Sequence, residues 1–174
     1  KAGVKDYVTF AKKLTKLIKD KSISLEVFSD DSDEIISQAI FLSNLGKNVY
    51  VKIPIVSSNG QSMIPTIKRL SLEKIKLNIT AIMTFEQVKK VSLVLDKSTS
   101  NYISIFAGRV ADTGRDPLIT IDKSLKYLKK YKKFEVIWAS TREIFNIFQA
   151  NNLKCHIITV GYDFLNKFNM IGMN

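Results

Sequence analysis

Asn48-Val49-Tyr50-Val51-Lys52-Ile53-Pro54 is a run of strand formers with one lysine near its end and a proline closing it. Set between segments of helical periodicity, it reads as a parallel strand covered on both faces, since such strands are almost continuously apolar. Side chains alternate along a strand, so Tyr50 and Lys52 share one face and Val49, Val51 and Ile53 the other. If the sheet closes into a barrel, Lys52 looks inward at the carboxyl end of its strand, where barrel enzymes keep their chemistry. An apolar wall favours the neutral amine of a lysine, and a neutral amine attacks a carbonyl to form a Schiff base. The plainer alternative is a lysine whose stem packs while its head reaches water.

Outward from this strand the chain alternates between two periods. Asp6 to Lys19 repeats apolar residues at helical spacing, and Ile23 to Phe28 alternates like a strand. Residues 33–45 read as a helix closed by Gly46, and the lysine strand follows at 48–53. A loop at 56–60 leads to a helix near 61–70, then a strand at 75–82 and a helix at 85–95 capped by Thr84. The strand 102–106 is followed by an expected polar loop at 108–116 and a helix near 118–131. A strand at 135–139, a helix opening at Ser140 or Thr141, a strand at 155–159 and a short helix around 162–168 complete the chain. A leading helix and six strand-helix units predict an α/β fold with parallel strands. The open doubly wound alternative is disfavoured, because no glycine-rich phosphate turn follows the first strand.

The 174 residues suit one domain with a sizeable core, and 45% hydrophobic with 25% charged residues is an ordinary globular composition. No apolar run approaches the roughly 20 residues of a membrane span. Cys155 and His156 are the only cysteine and histidine, which excludes an internal disulfide and a Cys/His zinc site and suits a reducing cytoplasm. The formal charge is +11; of 27 basic residues four are arginines, leaving 23 lysines. Those at Lys12, Lys13, Lys16 and Lys19 have helical spacing and read as solvated faces. With no basic run interleaved with exposed aromatics, nucleic acid is not the expected partner.

Polar residues interrupt the strands where the chemistry of a barrel would sit: Glu26, Lys52, Asn78, Thr80 and Ser104, with Arg109, Ser140 and Arg142 just beyond strand ends. Each alone has an ordinary explanation as a local pair or cap. Together they place an acid, an amine, an amide, hydroxyls and two guanidinium groups around one cavity. Two of only four arginines after adjacent strands suit a phosphate clamp, since the planar guanidinium binds phosphate through two parallel hydrogen bonds.

These stretches carry a resemblance over nearly the whole chain: Ser24-Leu25-Glu26-Val27, Val51-Lys52-Ile53-Pro54, Leu77-Asn78-Ile79-Thr80-Ala81-Ile82, Ile103-Ser104-Ile105-Phe106-Ala107-Gly108-Arg109-Val110 with Asp112 and Gly114, and Ala139-Ser140-Thr141-Arg142. In order and spacing they resemble the transaldolase family of class I aldolases, including its small fructose-6-phosphate aldolase-like members. The resemblance implies a TIM (β/α)8 barrel, with Lys52 as the Schiff-base lysine. It implies that Glu26 and Thr80 hold the catalytic water, that Asn78, Ser104 and Phe106 contact substrate, and that Arg109, Ser140 and Arg142 bind its phosphate. No metal or other cofactor is implied. Implied partners are a phosphorylated sugar and, at most, further copies of the chain, with neither nucleic acid nor membrane.

The implied activity is transfer or cleavage of a ketose-derived three-carbon unit in cytoplasmic carbohydrate metabolism, within the pentose phosphate pathway. A fructose-6-phosphate aldolase-type lyase, another Schiff-base aldolase and an inactive transaldolase-like assembly protein are the alternatives. Ile105, Val56, Met83 and Thr141 depart from residues common in the family, which bears on sugar preference. The family's acid/base aspartate and its threonine-asparagine-proline motif have no counterpart here. The six strands therefore correspond to the family's third to eighth, in a single domain over 1–174 expected to be truncated at the N-terminus and also at the C-terminus. On that expectation the stretch made by itself is not a competent enzyme, because six strands cannot close an eight-stranded barrel.

Overall fold

Asp6 accepts hydrogen bonds from the Val8 and Thr9 N–H groups and so opens the first helix, α1 (Tyr7–Leu17). The chain then runs β1 (Ile23–Glu26), α2 (Ser32–Ser43), β2 (Val49–Pro54), α3 (Ile64–Leu72), β3 (Leu77–Ile82), α4 (Phe85–Val94) and β4 (Asn101–Phe106). It continues through α5 (Ala107–Asp112), α6 (Pro117–Leu128), β5 (Phe134–Ala139), α7 (Phe145–Asn152), β6 (Ile157–Ile158), α8 (Tyr162–Leu165) and a 3-10 turn at Phe168–Met170. This computed structural model describes residues 3–173; Lys1, Ala2 and Asn174 lie outside the described residues. No helix among the described residues is long and apolar enough to cross a membrane.

The six strands lie in chain order in one sheet and every pairing is parallel. The alternation read from β2 holds across the sheet. Val49, Val51 and Ile53 join Ile23 and Leu25, Leu77 and Ile79, Ile103 and Ile105 in one apolar layer against the helices, which contribute Ala11, Ile35, Ile67, Leu70, Val88 and Ile121. The other face carries Tyr50 and Lys52, and its apolar content is a smaller cluster of Tyr50, Tyr102, Ile137 and Ala139. The Tyr50 and Tyr102 rings stack at 4.0 Å between centroids. Burial beside Tyr102 pushes the Tyr50 phenol up to about 12, so it stays neutral.

Two hydrogen bonds show that this face is concave. The Tyr102 hydroxyl donates to Ser22 Oγ at 3.0 Å, joining β4 to the turn before β1. Three inter-strand steps separate these strands, about 14 Å on a flat sheet, more than a tyrosine side chain spans. Asn78 Nδ2 likewise reaches over β2 to Ser24 Oγ at 3.0 Å. The sheet is a curled half-barrel with its helices outside.

Several element boundaries differ from the sequence reading, and four of the differences have a visible cause. The expected loop at 108–116 begins as α5, because Ala107, Gly108 and Val110 are apolar or small and pack inward, leaving only residues 113–116 to turn. The helix expected from Ser140 or Thr141 begins at Phe145: Ser140 takes φ +62°, and the Asn146 side chain accepts from the Arg142 and Glu143 N–H groups in place of a first turn. Residues 61–63 precede α3 because Ser62 bridges Val56, and the helix starts where Pro65 tolerates its missing donor. The last strand shrinks to Ile157–Ile158, since the His156 side chain, through Nδ1, takes the Val136 N–H that a longer ladder would use.

Asn101, buried at the start of β4, accepts from the Leu77 N–H at 3.0 Å and donates to the Thr99 carbonyl at 2.9 Å. It thereby satisfies a donor at the first residue of β3. Asn101→Ala leaves that N–H unpaired in the core and is expected to lower stability by about 1–3 kcal/mol. The urea midpoint should fall with an unchanged slope; a midpoint within experimental error of the parent would show the bond to be dispensable.

Candidate active site

Register places the polar residues in rows. Glu26 on β1 is paired in register with Lys52 on β2, and Lys52 with Asn78 on β3. One pleat further toward the carboxyl end, Thr80 stands beside Pro54. Lys52, Asn78, Thr80, Ser104, Phe106 and Ser140 all line one cavity of about 520 Å³ on the concave face. A cavity of this size suits a small organic molecule.

The amide of Asn78 is held at both ends. Its Oδ1 accepts from the Ser104 hydroxyl at 2.7 Å while its Nδ2 donates to Ser24, so one chain of bonds links β4, β3 and β1 beneath the cavity. Thr80 is buried, and its hydroxyl has no protein partner among the described residues, which leaves it available to a ligand in the cavity. β3 changes register between Ile79 and Ile82, with Ala81 at φ +57°, so the strand bends immediately after Thr80.

Lys52 Nζ lies 3.0 Å from Glu26 Oε2, with 31% of the lysine side chain and 48% of the glutamate side chain exposed. The dry apolar wall expected around this lysine is therefore not what surrounds it: its ammonium is ion-paired and partly wet. Glu26 in turn donates its backbone N–H to the Tyr7 hydroxyl at 3.0 Å, and Tyr7 packs edge-on against Phe28. The pair thus sits between the cavity and α1.

Arg109 and Arg142 do not line this cavity. Arg142 makes two hydrogen bonds to Asp112, Nη2 to Oδ2 at 2.5 Å and Nε to Oδ1 at 3.3 Å. Arg109 shares α5 with Asp112 but makes no ion pair or hydrogen bond to it among the described residues, while Arg142 packs beside Gly108 next to Ser140, which does line the cavity. Gly108 makes the approach feasible. A Cβ there would stand 1.8 Å from the Ser140 carbonyl oxygen and 2.8 Å from Arg142 Cγ, so only glycine lets the turns after β4 and β5 close together. Gly108 and Asp112 are the residues that sequence reasoning left without a role. Their one signal was membership of the stretch Ile103 to Val110 with Asp112 that carries the family resemblance.

Other chemistries find little support. Burial pushes the Cys155 thiol up, and the His156 ring spends Nδ1 on the backbone. No group of three or more His, Cys, Asp or Glu side chains among the described residues is placed to hold a metal. The chemical resources of the cavity are an amine with a paired carboxylate, a fixed amide, several hydroxyls with Thr80, Ser104 and Ser140 among them, and the aromatic rings of Tyr102 and Phe106.

A family model described as Transaldolase/Fructose-6-phosphate aldolase matches residues 5–174. A probable transaldolase of Thermoanaerobacter sp. is 34% identical over 162 residues, spanning 92% of this chain and 71% of that protein. A probable transaldolase of Methanococcus maripaludis is 30% identical over 164 residues, or 94% of this chain and 72% of the relative. A probable transaldolase 2 of Listeria monocytogenes is 35% identical over 144 residues, 82% of this chain and 62% of its own.

The Arg142 guanidinium holds the Asp112 carboxyl below the usual carboxylate range, chiefly through their hydrogen bonds. A depressed folded-state pKa means the pair supports the fold above the ordinary aspartate value, and that support fades as pH falls through the lowered one. Arg142→Ala is expected to return the Asp112 titration, followed by carbon NMR, toward ordinary values. An unmoved titration would show that the two side chains are not paired in solution.

Proposed function

The chain belongs to the transaldolase/fructose-6-phosphate aldolase family, an enzyme family, and from that membership we propose that it splits and transfers a three-carbon unit of a phosphorylated ketose through a Schiff base on Lys52. The observation that carries this reading is Lys52 on the concave face, with a carboxylate at 3.0 Å and a cavity in front of it. The paired Glu26 receives a proton from the ammonium, and the neutral amine adds to the ketose carbonyl. The carbinolamine that forms loses water, and Glu26 and Thr80 hold that water. The family's acid/base aspartate, on the further strands of this reading, takes the proton of the hydroxyl next to the breaking carbon–carbon bond while the iminium draws that bond's electron pair, so an aldehyde leaves and an enamine stays on Lys52.

Asn78, held by Ser104 and Ser24, donates to the sugar hydroxyls from a fixed orientation, and Phe106 packs on the carbon chain. Arg109, Ser140 and Arg142 take the phosphate, with Arg142 exchanging Asp112 for the ligand's oxygens. In this reading the six strands are the third to eighth of a (β/α)8 barrel. Two further strands carrying the family's acid/base aspartate complete it. If the enamine attacks a second aldehyde the enzyme is a transferase, as the names of its relatives say. If water instead releases the unit it is a lyase, which the family's description also admits.

Incubation with fructose 6-phosphate and borohydride should reduce the iminium to a stable amine, adding one sugar-derived mass at Lys52 by peptide mass spectrometry. Lys52→Ala should give none. Labelling confined to other lysines, or equal in the variant, would assign Lys52 a structural part only.

A further inference from the structure

The function proposed for Lys52 leaves the charge of +11 without a part to play, and the fold shows where that charge resides. Six turns lead into the amino ends of the six strands, at residues 18–22, 44–48, 73–76, 95–100, 129–133 and 153–156. They hold eleven lysines, no arginine and three acids, Asp20, Glu73 and Asp96, a balance of +8. The connections that follow the strands, at 27–31, 55–63, 83–84, 107–116, 140–144 and 159–161, hold three arginines and five acids, a balance of −2. Eleven of the 23 lysines are thus gathered at one end, Lys19 among them, while Lys12, Lys13 and Lys16 stay on the face of α1. Ser22 of this end reaches the cavity, but Lys52, Thr80 and Ser140 lie toward the carboxyl ends of their strands, so the field of these lysines is centred away from Lys52.

None of the eleven lysines is in an ion pair among the described residues, and all but Lys76 are exposed. The same end also presents isolated aliphatic side chains. Leu17 and Leu72 end α1 and α3, Leu93 lies in the last turn of α4, and they are 71%, 71% and 68% exposed. We propose that this amino-terminal end of the sheet docks on an anionic lipid bilayer, the lysines facing its headgroups and the three leucines entering the interface.

The residue types favour lipid over nucleic acid. Lysine is a hydrated point charge suited to diffuse attraction, whereas base and phosphate recognition favours the planar fork of arginine, absent from these turns. An exposed aromatic for base stacking is lacking as well: Tyr131, the one Phe, Tyr or Trp in the turns, is half-buried with the Lys97 and Lys130 ammonium groups over its ring. Protruding leucines add nothing to phosphate binding, but they add area to an interface with lipid. Surface docking needs no spanning helix, so the absence of one does not bear on it.

Co-sedimentation with phosphatidylcholine vesicles, with and without phosphatidylglycerol, tests this without any turnover assay and so stands apart from the chemistry proposed for Lys52. The protein should sediment with the anionic vesicles only, and less as salt rises. Replacing Lys129, Lys130, Lys132 and Lys133 together by Glu should lower partition at least about tenfold. Leu17→Ser, Leu72→Ser and Leu93→Ser together should lower it several-fold, with circular dichroism unchanged. Should the glutamate set fail to fold, the same four lysines changed to Gln give the same comparison. No difference between the two vesicles overturns the proposal. So does tighter retention by an oligonucleotide that the leucine changes leave intact, and so does a change of oligomeric mass on leucine replacement with vesicle binding unaltered.

Discussion

A side-chain amide holding two non-adjacent strands together is the constraint on which this structure turns. Asn78 on β3 takes the Ser104 hydroxyl from β4 and gives its own N–H to Ser24 on β1, passing over β2. A flat sheet cannot satisfy both bonds, and an unpaired buried amide would cost about 1–3 kcal/mol per group. Curvature satisfies them, and curvature makes the concave face a cavity. Lys52 owes its setting to the same geometry, since it lies on the strand that the Asn78–Ser24 bond bridges. Tyr102, reaching Ser22 one layer lower, repeats the device.

Much of this was legible in the residues. Alternation in Val49 to Ile53 separated helix-facing from cavity-facing positions, and the same parity carried Asn78, Thr80 and Ser104 to the face of Lys52. Strand count followed from the alternating periods, whereas a barrel's sequential strand order was implied only by the family resemblance. The features that escaped are those set by contacts between distant segments. The left-handed backbone at Ser140 and the closeness of Gly108 depend on two turns meeting, and nothing local to either announces it. The partner of Arg142 is thirty positions away in Asp112. Whether Lys52 is dry or has its head in water stayed open in the sequence, because a strand pattern tells which face a side chain takes and not what stands opposite it; the structure gives the partly wet, Glu26-paired state.

The two ends of the sheet differ in kind. At the carboxyl end, charge is balanced and local: Glu26 answers Lys52, and Asp112 answers Arg142. Lys52 and Arg142 are each held by a carboxylate, in partly exposed pairs, while Arg109 and Arg115 are in no ion pair among the described residues. At the amino end the lysines have no such partners, and repulsion among them is tolerated because water screens them. A helix macrodipole adds to the tolerance, since helix carboxyl ends point to that side and favour positive charge. The tight packing of Val51, Ile53, Ile79 and Ile105 between the two ends provides the rigid floor that both require.

The central claim is that Lys52 adds to a ketose carbonyl and that the water released is held beside Thr80. Loss of water from the carbinolamine and hydrolysis of the iminium by solvent water exchange the ketose carbonyl oxygen, so the most direct measurement is uptake of isotope-labelled water oxygen into the carbonyl of fructose 6-phosphate. Exchange should run faster than in buffer alone, vanish in Lys52→Ala, and slow by about a hundredfold in Thr80→Val. Exchange as fast in Lys52→Ala as in the parent protein would contradict the account.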